Sequence, residues 1–462
     1  MIRKTRLTLT AIITLLFVSL ASCTIQGLPY PTETPDSNMI TPDLKSTREM
    51  AEAGMFPSTT PEPDTPTMPP STPKAEVPTP TVLAFRIPSQ TLKLVYILNG
   101  DLWYWKEGQA PIQLTKEGDT YLAALSDDAS QAAFARELDY DSRELWVVNT
   151  DGSGARVLVD SLSFQEMTLY PDDLTGAPLQ LDWVPETNLV VFSTRIIYEG
   201  PGMVRKHELH TVDVDSRTMT VLADIDHGGR FKIAPDGRQI AISLPDRINL
   251  VQADGSGLRE LYSFPHLDTG SEWFYYPTVA WTQDSAIVRL ILPPEHPMSE
   301  LEQPTQILSL PASGSSPRIV GEVLTIPVFY VNPILSPDAR QLAYVGPVSF
   351  EDPGTGILYT ASVNGSGAVS YDKGLIALYA WSPDNRHFLY SVNGLNKVGN
   401  IDSPANSLKV PGYLLNTRFF DPSHFLLISR KGDQLQLWLG DLDGEVIFIG
   451  ESSSAIDYDF VR

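Results

Sequence analysis

The sequence predicts an all-β protein: a β-propeller of four-stranded antiparallel blades, eight in number with seven as the alternative, closed by the C-terminal strand pairing into the N-terminal blade. Three observations predict it. A strand, tight turn and second strand recur along the chain from about residue 92; an Asp-Gly or Asn-Gly hairpin comes after several of these units; and the chain stops on a lone strand-like run, SSAIDYDFVR (453 to 462).

Taken in order, the chain opens with Arg3, Lys4 and Arg6 ahead of an apolar run, Leu7 to Leu20, too short to span a bilayer comfortably and the right length for the core of an export signal. It ends in Leu20-Ala21-Ser22-Cys23. This tetrad resembles the lipobox of bacterial lipoproteins, and the resemblance implies a signal peptide over 1–22, cleavage before Cys23 and lipids on that residue. Cys23 is the single cysteine of the chain, so it has no partner for an internal disulfide. The expected location is the extracytoplasmic face of a cell membrane or outer membrane, held by lipid. Thr24 in place of aspartate leans toward the outer one where there are two membranes.

Residues 23–91 form a linker. PSTTPEPDTPTMPPSTPKAEVPTPT is dense in proline and threonine with little apolar periodicity, so it buries too little surface to offset its ordering entropy. In the polyproline conformation, at about 3.1 Å per residue, its upper reach is on the order of 200 Å. DLKSTREMAEAGMF (43 to 56) is the one stretch with helical character.

Residues 92–462 read as β throughout. The clearest units are RFKIAPDGRQIAISL (230 to 244), VNPILSPDARQLAYVG (331 to 346) and LYAWSPDNRHFLYSV (378 to 392); weaker copies begin near residues 121, 179, 278 and 416. Proline presets the φ of the first turn position, and Asp, Asn and Gly tolerate the less common backbone conformations of the next ones. Second hairpins such as LWVVNTDGSGARVLV and INLVQADGSGLRELY complete four strands per unit. Seven such units each start a blade with its innermost strand. LKLVYILN, DLWYWK and PIQLT precede them as a blade lacking its inner strand, which SSAIDYDFVR can supply; the count is then eight. Seven is the alternative because the unit at 377–412 has a poor third strand, VGNID. Trp103 and Trp105 in DLWYWK fall on one strand face and read as blade packing.

The Ser/Ala-Pro-Asp turn and the Asp-Gly-Ser-Gly hairpin resemble those of TolB-like and WD-type β-propeller repeats. The resemblance covers about residues 92 to 462 and implies the fold, not a function. TolB-type propellers have six blades, fewer than the repeats found here.

Loop lengths assign a working face. The first-to-second and third-to-fourth strand turns share one side and are short. The second-to-third loops and interblade connections share the other side and are long: 195–206, 293–306, 346–356, 393–405, and the connections at 163–178 and 265–277. There, SEWFYYP lines up Trp273, Phe274, Tyr275 and Tyr276, aromatics able to stack on a sugar or anchor a protein, although alternation along a strand would bury half of them. RELDYDSRE gathers Glu137, Asp139, Asp141 and Glu144; Asp139 and Asp141 offer oxygen ligands for calcium, but a solvated acidic loop is the simpler reading because the glycine and spacing of a calcium loop are missing. Asp457 and Asp459 share one face of the closing strand, at the channel or in structural hydrogen bonds.

No catalytic constellation emerges. HELH (207 to 210) has i, i+3 spacing and lies in a strand pattern, so its histidines point to opposite faces. There is no G-x-S-x-G elbow. The formal net charge of −23 disfavours nucleic acid as a partner. The expectation is therefore a non-catalytic, cofactor-free binding or scaffold module for an envelope protein or glycan. The alternative is a propeller enzyme, of lyase or hydrolase type, working at the central channel.

Overall fold

The computed structural model describes residues 91–168, 173–198, 205–225, 227–270, 274–299, 302–326, 331–349 and 352–461. The expected export signal, Cys23, the stretch expected as a linker up to residue 90 with its candidate helix, and Trp273 lie outside these residues. Strand pairing gives eight four-stranded antiparallel sheets, so the fold is an eight-bladed β-propeller.

Blade 1 is the split one. Its strands β1 (Lys93–Leu98), β2 (Asp101–Lys106) and β3 (Ile112–Gln113) are joined on the inner side by the last strand of the chain, β32 (Tyr458–Val461). β32 pairs antiparallel with β1, Lys93 opposite Val461 through Tyr96 opposite Tyr458, and the Ile97 N–H extends the ladder to the Asp457 carbonyl at 2.9 Å. The terminal strand thus completes the first blade, as the sequence pattern predicts. In the other blades the inner strand begins the unit: β4 (Thr120–Leu125), β8 (Asp173–Trp183), β12 (Arg230–Ile233), β16 (Val279–Trp281), β20 (Ile334–Leu335), β24 (Ile376–Trp381) and β28 (Tyr413–Phe419) start blades 2 to 8.

The turn chemistry does what its residue types dictate. Asp128, Asp236, Asp284, Asp338, Asp384 and Asp421 each turn a carboxylate oxygen back onto a backbone N–H two residues on, which closes the tight turn locally. The outer hairpins use glycine for a second reason. Gly365 and Gly444 have φ of +79° and +84°, and a Cβ there would stand 2.8 Å from the Glu322 carbonyl and 2.2 Å from the Ser407 carbonyl of the preceding blade. Only glycine accommodates both the left-handed backbone and that approach.

Apolar burial is organised by junction, not by blade. The eight core clusters each draw on two adjacent blades; Leu94, Tyr96, Leu426, Leu437 and Tyr458, for example, fill the junction of blades 8 and 1. Every junction also carries an inter-blade hydrogen bond. Around the ring these are Ala123 N–H to Asp457 (2.9 Å), Trp183 Nε1 to the Ala124 carbonyl (3.1 Å), Gln180 Nε2 to the Phe231 carbonyl (2.9 Å) and Trp281 Nε1 to the Lys232 carbonyl (2.9 Å). They continue with Tyr275 OH to Asn332 (3.0 Å), Asp338 N–H to Asn385 (3.0 Å), Ser382 Oγ to the Pro422 carbonyl (2.9 Å) and Arg418 Nη1 to the Tyr458 carbonyl (3.2 Å).

Three loop assignments need correction. Residues 346–356 belong mostly to a paired hairpin, with Pro347 opposite Gly356 and Ser349 opposite Asp352. Residues 393–405 are not a long loop. Asn393 and Gly394, with φ of 51° and 77°, make a two-residue hairpin turn, and Leu395–Asn400 pairs along its length with His387–Val392. The strand looked poor because of Gly399, but the Phe388 ring lies where its Cβ would be, 2.5 Å away, so the glycine is there to seat an aromatic. The connection after blade 2 is in part a short helix, α1 (Ser161–Gln165), capped by Asp160; its Phe164 is fully buried and meets Phe192 edge-on at 6.0 Å. That stretch is a plug between blades 2 and 3.

The tryptophan series yields a direct test. Trp183, Trp281 and Trp381 hold the same register, but the Trp381 Nε1 has no acceptor among the described residues. Trp183→Phe is expected to cost about 1–2 kcal/mol more in unfolding free energy than Trp381→Phe, because only the first orphans a buried carbonyl. Equal losses in urea titrations followed by circular dichroism would refute the role of the Nε1 latch.

Candidate functional site

Two regions stand out, the central channel and the long-loop face. In the seven blades with an intact inner hairpin, strand register places Ala124, Asp182, Lys232, Ala280, Ile334, Ala380 and Arg418 at one height, and the closing strand adds Asp457 and Asp459. Charge therefore occupies one side of the ring, from blade 8 round to blade 4. Blades 5 to 7 present Ala280, Ile334 and Ala380 there.

Arg418 organises this side. Its Nη2 lies 3.0 Å from Asp459 Oδ1, and its guanidinium packs over the Phe460 ring at 4.7 Å. The other oxygen of Asp459 accepts the Leu125 N–H at 2.9 Å, and Asp457 accepts the Ala123 N–H. Both carboxylates thus bolt the closing strand to blade 2 while facing the channel, which joins the two roles the sequence allows them. Burial opposes the Arg418 charge, but Asp459, Tyr458, Asp182 and Asp457 outweigh it and raise its pKa.

Asp182 is a channel residue that sequence reasoning missed. It retains solvent-accessible surface yet protein surrounds it, the situation of a group in a narrow wet channel. Burial, then the negative charge of Asp459, pushes its carboxyl up to about 7, against the pull of Arg418 and Lys232. Burial likewise pushes Asp457 up to about 6, the Ala123 N–H opposing. Asp182 accepts one hydrogen bond, from its neighbour Trp183 N–H.

The long-loop face is built differently. Among the described residues, the exposed large apolar side chains Tyr140, Leu162, Ile225, Phe274, Met298, Leu324 and Leu375 lie on second-to-third strand loops or interblade connections, and Leu138, Val348, Leu395 and Tyr413 lie in the last or first residues of the strands that these links join. Of the same set, Leu258 alone lies in a turn of the opposite face, and the remainder sit on outermost strands. That opposite face carries the Asp turns. Its Asp151 and Asp254 are held below the usual carboxylate range, chiefly by the hydroxyl of the serine two residues on and then by that serine's N–H.

The predicted binding residues separate. Phe274 is 48% exposed and sits against His266, ring centroids 5.4 Å apart. Tyr275 is buried with its hydroxyl on Asn332, and Tyr276 is largely covered, lies 5.9 Å from the Arg230 guanidinium and has its pKa pushed up to about 12 by burial. Asp139 and Asp141 sit at the tip of a hairpin between Gln131–Asp139 and Ser142–Asn149. Arg143 folds into that tip, its Nη2 2.7 Å from Glu137 and its Nη1 donating to the Asp139 and Ser142 carbonyls. Among the described residues no three His, Cys, Asp or Glu side chains converge as a metal site. HELH lies in strand Arg205–Asp213, where His210 is buried on Glu208 (2.9 Å) and stacked on Phe192.

No protein-family model matches the chain, and no curated protein does. Among solved structures it is similar to TolB from Acinetobacter baumannii, at 14% identity over 61% of this chain and 64% of that one, with a TM-score of 0.32. An oligogalacturonate lyase in complex with manganese aligns at 13% identity over 74% of this chain and 82% of that one, TM-score 0.43. A puromycin-hydrolysing peptidase of Mycobacterium tuberculosis aligns at 14% identity over 73% and 53%, TM-score 0.46. The chain thus spans under two thirds of the TolB structure and about half of the peptidase. These are propeller likenesses at low identity, and the fold rests on the strand pairing described above.

The raised carboxyls predict a pH dependence. With folded pKa values of about 7 and 6 against 3.8 when unfolded, the native state binds more protons than the unfolded one between those limits, so stability falls as pH rises through them. Asp182→Asn is expected to raise the melting midpoint at pH 8 and leave it unchanged near pH 4. After screening by channel water the gain is on the order of 1 kcal/mol, about 2 °C for a chain of this size. A variant midpoint parallel to wild type across pH 4–8 would contradict the assignment.

Proposed function

We propose that this chain is a lipid-anchored, extracytoplasmic binding and scaffold module, held through Cys23 and docking an envelope protein or glycan on the long-loop face of its propeller without catalysis. The observation that carries the reading is the concentration of exposed apolar side chains on that face. Scattered apolar residues are normal on any surface, whereas their segregation to one side of a disc is the pattern of an interaction face. Most of these side chains are aliphatic, which favours a protein surface over a glycan as the occupant.

Chain direction supports it. β1 runs from the tight-turn face to the long-loop face, and β32 runs back, so the chain enters the ring at Leu92 and leaves it at Val461 on the acidic side; Lys93 Nζ reaches the Asp128 carbonyl in a tight turn there. A tether joined at Leu92 leaves the opposite face unobstructed.

A second reading, an enzyme of lyase or hydrolase type at the channel, is favoured by Asp182, a carboxyl that titrates near neutrality beside Asp459 and so is able to give or take a proton.

One experiment separates the two. Crosslinking pull-down from intact cells is expected to capture a partner with the full lipoprotein and with Leu258→Asp, and to lose it by tenfold or more with Leu375→Asp combined with Leu395→Asp. Capture that survives the face variant and is lost with Asp182→Asn would move the function to the channel.

A further inference from the structure

The repeats of the ring serve as internal controls for one another. Opposite the channel-height residue of each inner strand, the second strand carries Val95, Ala133, Val191, Ala241, Ala343, Leu389 and Leu426 in blades 1, 2, 3, 4, 6, 7 and 8, every one fully buried against the next blade. Blade 5 carries Arg289 at this position. Its strand neighbour Ile291 packs toward blade 6, so the guanidinium is directed into the junction of blades 5 and 6.

Among the described residues nothing answers this charge. The Nε and Nη1 atoms of Arg289 are sealed from solvent without a hydrogen-bond partner, and no ion pair reaches the group. Burial alone lowers its pKa, with no charge of either sign acting on it. The residues beside it on the sheet are small, Ala280 on one side and Ser309 on the other. Across the same blade 6 inner strand, shortened to Ile334–Leu335, the Trp381 Nε1 is a second buried donor without an acceptor. Both orphans are donors. A half-buried cation with two sealed, unpaired nitrogens carries a cost in a position where seven sister blades place a fully buried aliphatic side chain, and packing gives no reason to keep it.

We propose that the junction of blades 5 and 6 is an oxyanion site, with Arg289 as the receptor for a carboxylate or a tetrahedral sulfate- or phosphate-type group of a ligand. Nη2 is the nitrogen that keeps access to solvent, and it shares one edge of the guanidinium with Nε and the other with Nη1. Nη2 is the donor an acceptor meets first, and a second parallel bond to Nε or Nη1 requires its oxygen to enter beside the guanidinium, where both atoms are sealed from water. The site is independent of the long-loop face and of the acidic cluster, which lies on the other side of the ring.

The test is thermal unfolding of the full chain in acetate, sulfate and phosphate at matched ionic strength, with chloride as reference, for wild type, Arg289→Met and Arg289→Lys. General salt effects act on all three proteins alike. The site predicts an additional rise of roughly 2 °C in wild type with at least one oxyanion. That increment is lost in Arg289→Met and reduced in Arg289→Lys. Acetate acting alone identifies a carboxylate receptor; sulfate or phosphate identifies a tetrahedral one. Arg289→Met is also expected to melt no lower than wild type in chloride. Identical anion responses in wild type and both variants would overturn the proposal and leave Arg289 solvated by water only. If Arg289→Met does not fold, the comparison of wild type with Arg289→Lys gives the same decision.

Discussion

A blade of this ring has two apolar faces and can cover them only with its neighbours, so every junction depends on there being a next blade. The short pairing of β32 with β1 removes the two open faces that a linear stack of blades would leave. It is reinforced by charge as well as by the ladder. Asp457 and Asp459 accept backbone N–H groups from blade 2, and Arg418 reaches in from blade 8, so the closing strand is fastened to both flanking blades as well as to its own. The electrostatic features of the channel originate in this seam. Burial first, and then the charge of Asp459 in this seam, push the Asp182 carboxyl up to about 7.

The same antiparallel order separates the two faces of the disc. The first-to-second and third-to-fourth turns end on one side, where Asp and Gly supply the backbone conformations those turns require. The other side takes the interblade connections and the second-to-third links, which range from two-residue hairpins such as Asn99-Gly100 and Asn393-Gly394 to the stretch between Leu292 and Thr305. A division of surface chemistry between faces thus follows strand order, not a uniform difference in connection length.

Much of the fold was legible because its signals are local. A Pro-Asp turn between apolar strands, or an Asp-Gly hairpin, carries its conformation in two or three residues, and the unpaired terminal strand announced the closure. VGNID read poorly because the reason for Gly399 is a ring from the neighbouring strand, which local pattern cannot supply. Site residues fared unevenly for the same reason. Along SEWFYYP the pattern is not alternation: Tyr275 and Tyr276, consecutive residues ahead of the strand that begins at Val279, are both covered while Phe274 is exposed; Asp457 and Asp459 were visible as a pair on one strand face. Asp182, Lys232, Arg418 and Arg289 are ordinary surface-type residues in isolation. They become conspicuous only when the repeats are superimposed on their turns, so that a charge falls where sister blades have alanine, isoleucine or valine.

The closure also decides what the start of the ring means. Lys93 and Val461 are paired neighbours, so the first and last residues of the folded unit lie side by side on one face. Since β32 joins β1 through a ladder and not through the backbone, the polypeptide break falls inside blade 1, at the place where the other blades have their first-to-second strand turn. A circularly permuted gene, with the old ends linked and new ones opened at another connection, describes the same ring of contacts. Which blade comes first is therefore a matter of genetic history, and the architecture itself is indifferent to it.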